Sequence, residues 1–160
     1  MRYYCGLSFD EVVRRYAPAV HSACVMRLGG HADADDCFQN TFLRLCTSAP
    51  DFRDAEHLKA WLLRVAVNEC KKYLRDHRRE ISLEGMAEVP LPPLDDERDI
   101  SWAILRLEPK YREVLYLYYG EGYKTEEIAR ILGRNPATVR TMLRRGREKL
   151  KTIYGGENDV

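Results

Sequence analysis

The sequence predicts an all-α fold: two small helical bundles joined by a flexible, acidic, proline-rich linker, the C-terminal one with a helix-turn-helix. Three observations lead there. Apolar residues recur at three- and four-residue spacing along nearly the whole chain, and no strand-like alternation persists. Residues 81–99, ISLEGMAEVPLPPLDDERD, hold three of the seven prolines and a net charge of −5, a composition that blocks helix and reads as extended linker. The 160 residues are 45% hydrophobic and 32% charged, enough for packed cores beneath many charged helix faces. The expected organisation is residues 1–80, a linker over 81–99, and residues 100–160. The two bundles are expected to be loosely joined in the free chain.

The N-terminal part reads as three helices. Ser8 with Glu11 forms a capping box and Leu7 with Val12 the matching hydrophobic staple, followed by Val12, Val13, Tyr16, Val20 and Ala23 on one face. Pro18 is an expected kink, and Gly29-Gly30 ends the helix. Asp33 is expected to cap a second helix whose buried stripe is Phe38, Thr41, Phe42 and Leu45, broken at Pro50-Asp51. A third runs from about Glu56 to Arg79, with Leu58, Trp61, Leu62, Val65, Ala66, Tyr73 and Leu74 on one face.

The C-terminal part begins with a helix carrying Ile100, Ala103, Ile104 and Leu107. Pro109 suits the first turn of the next, which carries Tyr111, Val114, Leu115 and Tyr118 and ends at Gly120 and Gly122. Thr125 is expected to cap a short helix with Ile128, Ala129 and Leu132. Gly133 supplies a turn, and Asn135-Pro136 opens a final helix to about Ile153. Two helices joined by a short glycine-containing turn make a helix-turn-helix.

Composition narrows the function. No apolar run approaches the ~20 residues of a membrane span, and the first residues lack a signal-peptide core, so a cytoplasmic location is expected. Five cysteines without a CxxC pair rule out a disulfide framework as the main design and weigh against a cysteine zinc site. Gly-rich phosphate loops, G-x-S-x-G and H-E-x-x-H are missing, so neither an enzyme nor a cofactor or metal is expected. The overall charge of +1 conceals an asymmetry: residues 51–80 carry +2 and residues 100–154 carry +6, on either side of the acidic spacer. That pattern points to a polyanionic partner.

The candidate binding residues follow. On the final helix Arg140, Arg144, Arg147 and Lys151 share a face, Arg145 and Lys149 extend it, and Val139, Leu143, Leu150 and Ile153 lie behind. A charge run is usually a solvated face; the preceding helix and capped turn favour a phosphate-facing one. On the third helix Arg64, Asn68, Lys71, Lys72, Arg75, Arg78 and Arg79 repeat opposite Trp61 and Val65. Asn is a poor helix former, yet its amide can read a base edge; the plain alternative is a surface residue of no consequence. Phe52-Arg53 pair an aromatic with a cation, a combination suited to an unstacked base, although a core role is commoner for a lone aromatic. Asp36, Gln39, Asn40 and Leu43 form a second stripe on the second helix, either an ordinary surface or a protein-contact patch.

These residues resemble the bacterial extracytoplasmic-function sigma factors over nearly the whole chain. DADDCFQNTFLRL is similar to that family's region 2 pattern D-A-E-D-x-x-Q-E-x-F-L-R, and AWLLRVAVNECKKYLRDHRR to its W-L-x-R-I-A-x-N-x-x-x-x-x-L-R segment. LEPKYREVLYLYYGEGYKTEEIARILGRNPATVRTMLRRGREKLK resembles its region 4. The resemblance implies a protein that binds core RNA polymerase and directs it to promoter DNA, region 2 recognising and melting the −10 element and region 4 reading the −35 element. By position it implies that Asn68 contacts a −10 base and that the loop from Phe52 to Glu56 holds a flipped one. The stripe of Asp36, Gln39, Asn40 and Leu43 would meet the polymerase clamp. Arg134, Thr138, Arg140, Thr141 and Arg144 would lie at or near the start of the recognition helix. An anti-sigma factor is a further partner the resemblance allows. The alternative from another class is a stand-alone helix-turn-helix regulator that never engages polymerase.

Overall fold

The computed structural model describes residues 2–29, 31–77 and 103–158. The N-terminal half folds as three helices, α1 (Phe9–Leu28), α2 (His31–Ser48) and α3 (Ala55–Asp76). At the start of α1 the Glu11 amide donates to Ser8 Oγ at 3.3 Å and the Ser8 amide to Glu11 Oε1 at 3.4 Å, so two otherwise orphaned donors satisfy each other's partners. Gly29 closes the helix with φ +76°, a conformation that favours glycine. Pro18 lies inside this continuous helix. Asp33 is not a cap: α2 begins at His31, which puts Asp33 in its first turn, where the positive end of the helix dipole suits a carboxylate. α3 is capped by Asp54, whose Oδ1 accepts from the His57 amide at 2.8 Å. α3 ends at Asp76, earlier than expected, and Arg78 and Arg79 lie outside the described residues.

The three helices enclose one core. Val12, Val20 and Cys24 meet Phe42 and Leu45 across it, and Leu58, Leu62, Ala66 and Cys70 fill the third side. Trp61 and Phe38 are half-buried at its margin. The buried Cys70 thiol is pushed up by hydrogen bonding to the Cys24 and Cys37 thiols and by burial, so it stays protonated and serves as packing.

The C-terminal half holds α4 (Pro109–Leu115), a π-helical turn over Tyr116–Gly120, α5 (Thr125–Leu132) and α6 (Pro136–Asn158). Ala103 and Ile104 are helical and buried, but Ile100 and the spacer 81–99 fall outside the described residues, as do the boundaries expected at 80 and 100. Pro109 occupies the first turn of α4. The residue before α5 is Lys124 rather than Thr125, and its amide donates to Glu127 Oε1 at 3.0 Å. Asn135 caps α6 by accepting from the Ala137 amide at 2.9 Å, and that helix runs past Ile153. Among the described residues there is no strand; an isolated bridge pairs Tyr4 with Leu7.

The halves are not loosely joined: they pack as one body. Ala23 and Met26 of α1 and Leu63 and Val67 of α3 belong to the same buried cluster as Ala103, Ile104, Val114 and Ile128. The cause is a second apolar stripe on two helices. Ala19, Ala23 and Met26 follow one another at helical spacing, as do Ala60, Leu63 and Val67, and each stripe faces away from the N-terminal core. Leu63 is fully buried and Val67 2% exposed, a degree of enclosure that a three-helix bundle alone does not provide them.

Candidate nucleic-acid interface

The helix-turn-helix is formed by α5, a turn at Gly133–Asn135, and α6. Gly133 adopts φ +66°, and the Arg134 amide returns to the Ala129 carbonyl at 2.9 Å, which ends α5 and re-aims the chain. Val139, Leu143 and Leu150 bury the inner face of α6 and fix which residues point outward. Thr138, Arg140, Arg144 and Arg145 are exposed, while Thr141 and Arg134 are half-buried. Thr141 Oγ1 donates to the Ala137 carbonyl at 3.1 Å. Arg140 Nη1 stands 4.0 Å from Glu126 Oε1, an exposed pair worth little in water and easily given up to a phosphate. A notch of about 320 Å³ opens beside the start of α6, lined by Lys110, Tyr111, Ala137, Thr138, Thr141, Met142 and Arg145.

Arg147 is held differently from its neighbours. Its Nε donates to the Tyr119 hydroxyl at 2.7 Å, and its guanidinium lies 5.0 Å from the Tyr118 ring centre and 5.6 Å from that of Tyr119. The Tyr119 hydrogen bond raises the Arg147 pKa further.

On α3, Arg64, Asn68, Lys72 and Arg75 are exposed along one side, and Arg75 lies 3.9 Å from Asp76. Lys71 leaves that stripe. It is half-buried, its Nζ donates to the Leu132 carbonyl at the end of α5 at 2.9 Å, and burial lowers its pKa. Phe52 is half-buried, edge-on to His57 and Trp61 at 5.3 and 5.5 Å, while Arg53 is exposed and its amide donates to His57 Nδ1 at 3.1 Å. On α2, Asp36, Gln39, Asn40 and Leu43 are all exposed, with Leu43 at 60%. Beside them Arg44 Nε pairs with the buried Glu69 of α3, which pins the patch to the bundle.

Sequence reasoning missed the charged groups between the halves. Arg27 Nη1 meets Glu113 Oε2 at 3.0 Å, and Lys59 Nζ meets Glu121 Oε2 at 2.6 Å. Tyr116 donates to Glu121 Oε1 at 2.6 Å and lies 3.3 Å from the Ala19 carbonyl. The second apolar stripes of α1 and α3 were the available signal for this contact. Among the described residues no group of three or more potential ligands could hold a metal ion.

Known proteins agree with this arrangement. The family described as Sigma-70 region 2 matches residues 12–80, and that described as Sigma-70, region 4 matches residues 98–150. The RNA polymerase sigma factor CarQ of Myxococcus xanthus is 29% identical over 157 residues, covering 92% of this chain and 90% of that protein. The ECF RNA polymerase sigma factor SigM of Bacillus subtilis is 26% identical over 163 residues, covering 96% and 99%. Among solved structures, CnrH in complex with the cytosolic domain of CnrY aligns with a TM-score of 0.63 at 28% identity, over 92% of this chain and 88% of that one. The sigma factor RpoE bound to the anti-sigma factor NepR, from Bartonella quintana, shares the fold with a TM-score of 0.70 at 24% identity, over 89% and 94%. With both regions present in order on a shared fold, this chain belongs to the extracytoplasmic-function RNA polymerase sigma factors.

Proposed function

We propose that this sigma factor, which directs transcription initiation to promoters, divides the work between its halves. Region 2 contacts the −10 element through Arg64, Asn68, Lys72 and Arg75, with Phe52 and Arg53 beside an extruded base. Region 4 contacts the −35 element through Thr138, Arg140, Thr141, Arg144 and Arg145, and the half-buried Lys71 and Arg134 belong to these two surfaces. The patch of Asp36, Gln39, Asn40 and Leu43 docks on core RNA polymerase. The observation that carries this reading is the exposure of Asn68 in a basic stripe of α3, within a chain that also presents a basic recognition helix. Amides discriminate bases, whereas lysines and arginines on phosphates position the protein.

The role is non-enzymatic, and the place of action is the cytoplasm, where polymerase works. Among the described residues no helix is long and apolar enough to cross a membrane. An anti-sigma factor is a further partner, by analogy with the RpoE–NepR complex above. The stand-alone regulator loses its support, because the region 2 match accounts for residues 12–80, which such a regulator would not need. Run-off transcription with core polymerase on a promoter library tests the proposal. Initiation dependent on the added chain and confined to a subset of −35 and −10 sequences is the expected result, and no chain-dependent initiation on any template rejects it.

A further inference from the structure

The loop between α2 and α3 is fastened at both ends by residues outside it. At its entrance Arg2 Nη2 donates to the Ala49 and Pro50 carbonyls, each at 3.0 Å, and lies 3.8 Å from Asp51 Oδ1. At its exit His57, in the first turn of α3, is tied twice. Its own amide donates to Asp54 Oδ1 at 2.8 Å, and its ring Nδ1 accepts from the Arg53 amide at 3.1 Å. The two bonds run in opposite directions, so helix and loop hold each other, much as Ser8 and Glu11 do at the start of α1. The same ring stands edge-on to Phe52 at 5.3 Å, and Phe52 edge-on to Trp61 at 5.5 Å. Leu58, next in sequence, is fully buried, so the turn that carries His57 is anchored in the core.

The cap does not require a histidine. The bond to Asp54 uses the main chain of residue 57, which any residue but proline supplies. The bond from Arg53 and the contact with Phe52 need the imidazole itself, so this side chain acts on the loop rather than on the helix. Capture of an extruded base must offset the loss of its stacking in the duplex. A receiving loop that has to be ordered at the same moment weakens that capture, and one ordered beforehand does not. Phe52 is half-buried and Arg53 exposed, so the two residues assigned to the base stay reachable while their backbone and ring are held.

Resting on the −10 reading above, we propose that His57 is a positioning residue for base capture. Its Nδ1 fixes the Arg53 backbone and its ring edge fixes the Phe52 side chain, so the place for the extruded base is formed before DNA arrives. His57 acts through Phe52 and Arg53 and need not touch the DNA.

The test uses the full chain with core RNA polymerase. Templates carry one abasic nucleotide at each −10 position in turn, on one strand and then the other, and the readout is the rate of open-complex formation. Two variants divide the side chain. His57→Phe keeps an aromatic ring and removes the acceptor. His57→Asn puts an oxygen acceptor where Nδ1 stands and removes the ring. Both keep the amide that caps α3, so helicity and core-polymerase binding are expected to hold; should His57→Phe lose helicity, His57→Ala takes its place. On the intact promoter His57→Phe is expected to open about fivefold more slowly, the worth of one hydrogen bond, with His57→Asn within about twofold of wild type. On the abasic template that slows wild type most, His57→Phe and wild type are expected to converge, because no base is left for the loop to receive. On the other abasic templates the gap remains. A wild-type rate in His57→Phe, a gap that persists on every abasic template, or His57→Asn as slow as His57→Phe overturns the role of His57 and leaves base capture standing. A wild type that opens no template, or opens every abasic one at the intact rate, rejects the −10 reading itself and this role with it.

Discussion

Asn68 lies on the outer side of α3, exposed, with the buried Val67 and Glu69 on either side of it in sequence. Its removal leaves the core untouched, and alanine is the better helix former, so Asn68→Ala keeps the melting temperature. A base-reading amide loses about 1–3 kcal/mol of discrimination, by analogy with duplex readout. The expected outcome is unchanged core-polymerase binding with loss of preference at one −10 position, measured by initiation on a −10 library; wild-type ranking of all variants makes Asn68 a surface residue. The residue scale also shows what spacing hides. Arg144 and Arg147 share a face in the sequence pattern, yet the Tyr119 hydroxyl and the Tyr118 ring engage Arg147. Arg147→Ala is expected to lower stability by about 0.5–1 kcal/mol in urea denaturation, the size of an exposed cation–π contact. Arg144→Ala is expected to leave stability unchanged and to reduce the slope of log affinity against log salt by about 0.9 for each phosphate that Arg144 neutralises. Periodicity assigns a face; it does not reveal that an aromatic pair 28 residues away occupies one of its members.

At the scale of elements, most starts and stops were legible because local chemistry determines them. Ser8 with Glu11, Gly29, Pro109 and Asn135-Pro136 each act within about one turn of their own position. Asp33 and Thr125 misled for the same reason: each is a good cap by residue type, but the helix begins elsewhere, at His31 and after Lys124. The π-helical turn at Tyr116–Gly120 had no sequence signal beyond the glycine at its end, since widening by one residue follows from tertiary packing. Gly146 shows how two elements meet. A Cβ there would lie 3.1 Å from Leu115 Cδ1 and 3.5 Å from Tyr111 Cβ, so the bare backbone of α6 is what lets α4 approach. Leu115 is fully buried and has nowhere to retreat. Gly146→Leu is expected to cost about 1–3 kcal/mol through overpacking. At about 2–4 °C per kcal/mol for a chain of this size, the melting temperature falls accordingly. A melting temperature equal to wild type would mean that α4 and α6 separate without cost.

The whole molecule was the least legible level. Second apolar stripes on α1 and α3 can be found by counting, but a stripe does not name its partner, and Arg27 and Glu113 meet across 86 residues of sequence. Their meeting has a pH signature. The groups facing Glu113 are Arg27 from α1, Lys71 from α3, Arg112 from its own helix and Arg134 from the turn after α5. Burial is the largest influence on its carboxyl and raises it above 4.5; the charges of Arg27, Lys71 and Arg134 oppose that rise without cancelling it. In the separated or unfolded chain water surrounds the carboxyl and the ordinary value returns. Folding and closure therefore take up a proton in the window above 4.5, and stability falls as pH rises through it. The contribution is complete below 4.5 and is lost as pH passes the raised value. The wild-type curve sums every group whose protonation differs between the folded and unfolded chain, so it alone does not isolate the effect. Glu113→Gln does, because the amide keeps the shape and cannot take up the proton. Urea midpoints measured at steps from pH 7 to pH 5 are expected to show wild type gaining stability relative to Glu113→Gln as pH falls. Parallel curves would mean that Glu113 is as hydrated in the folded chain as in the unfolded one.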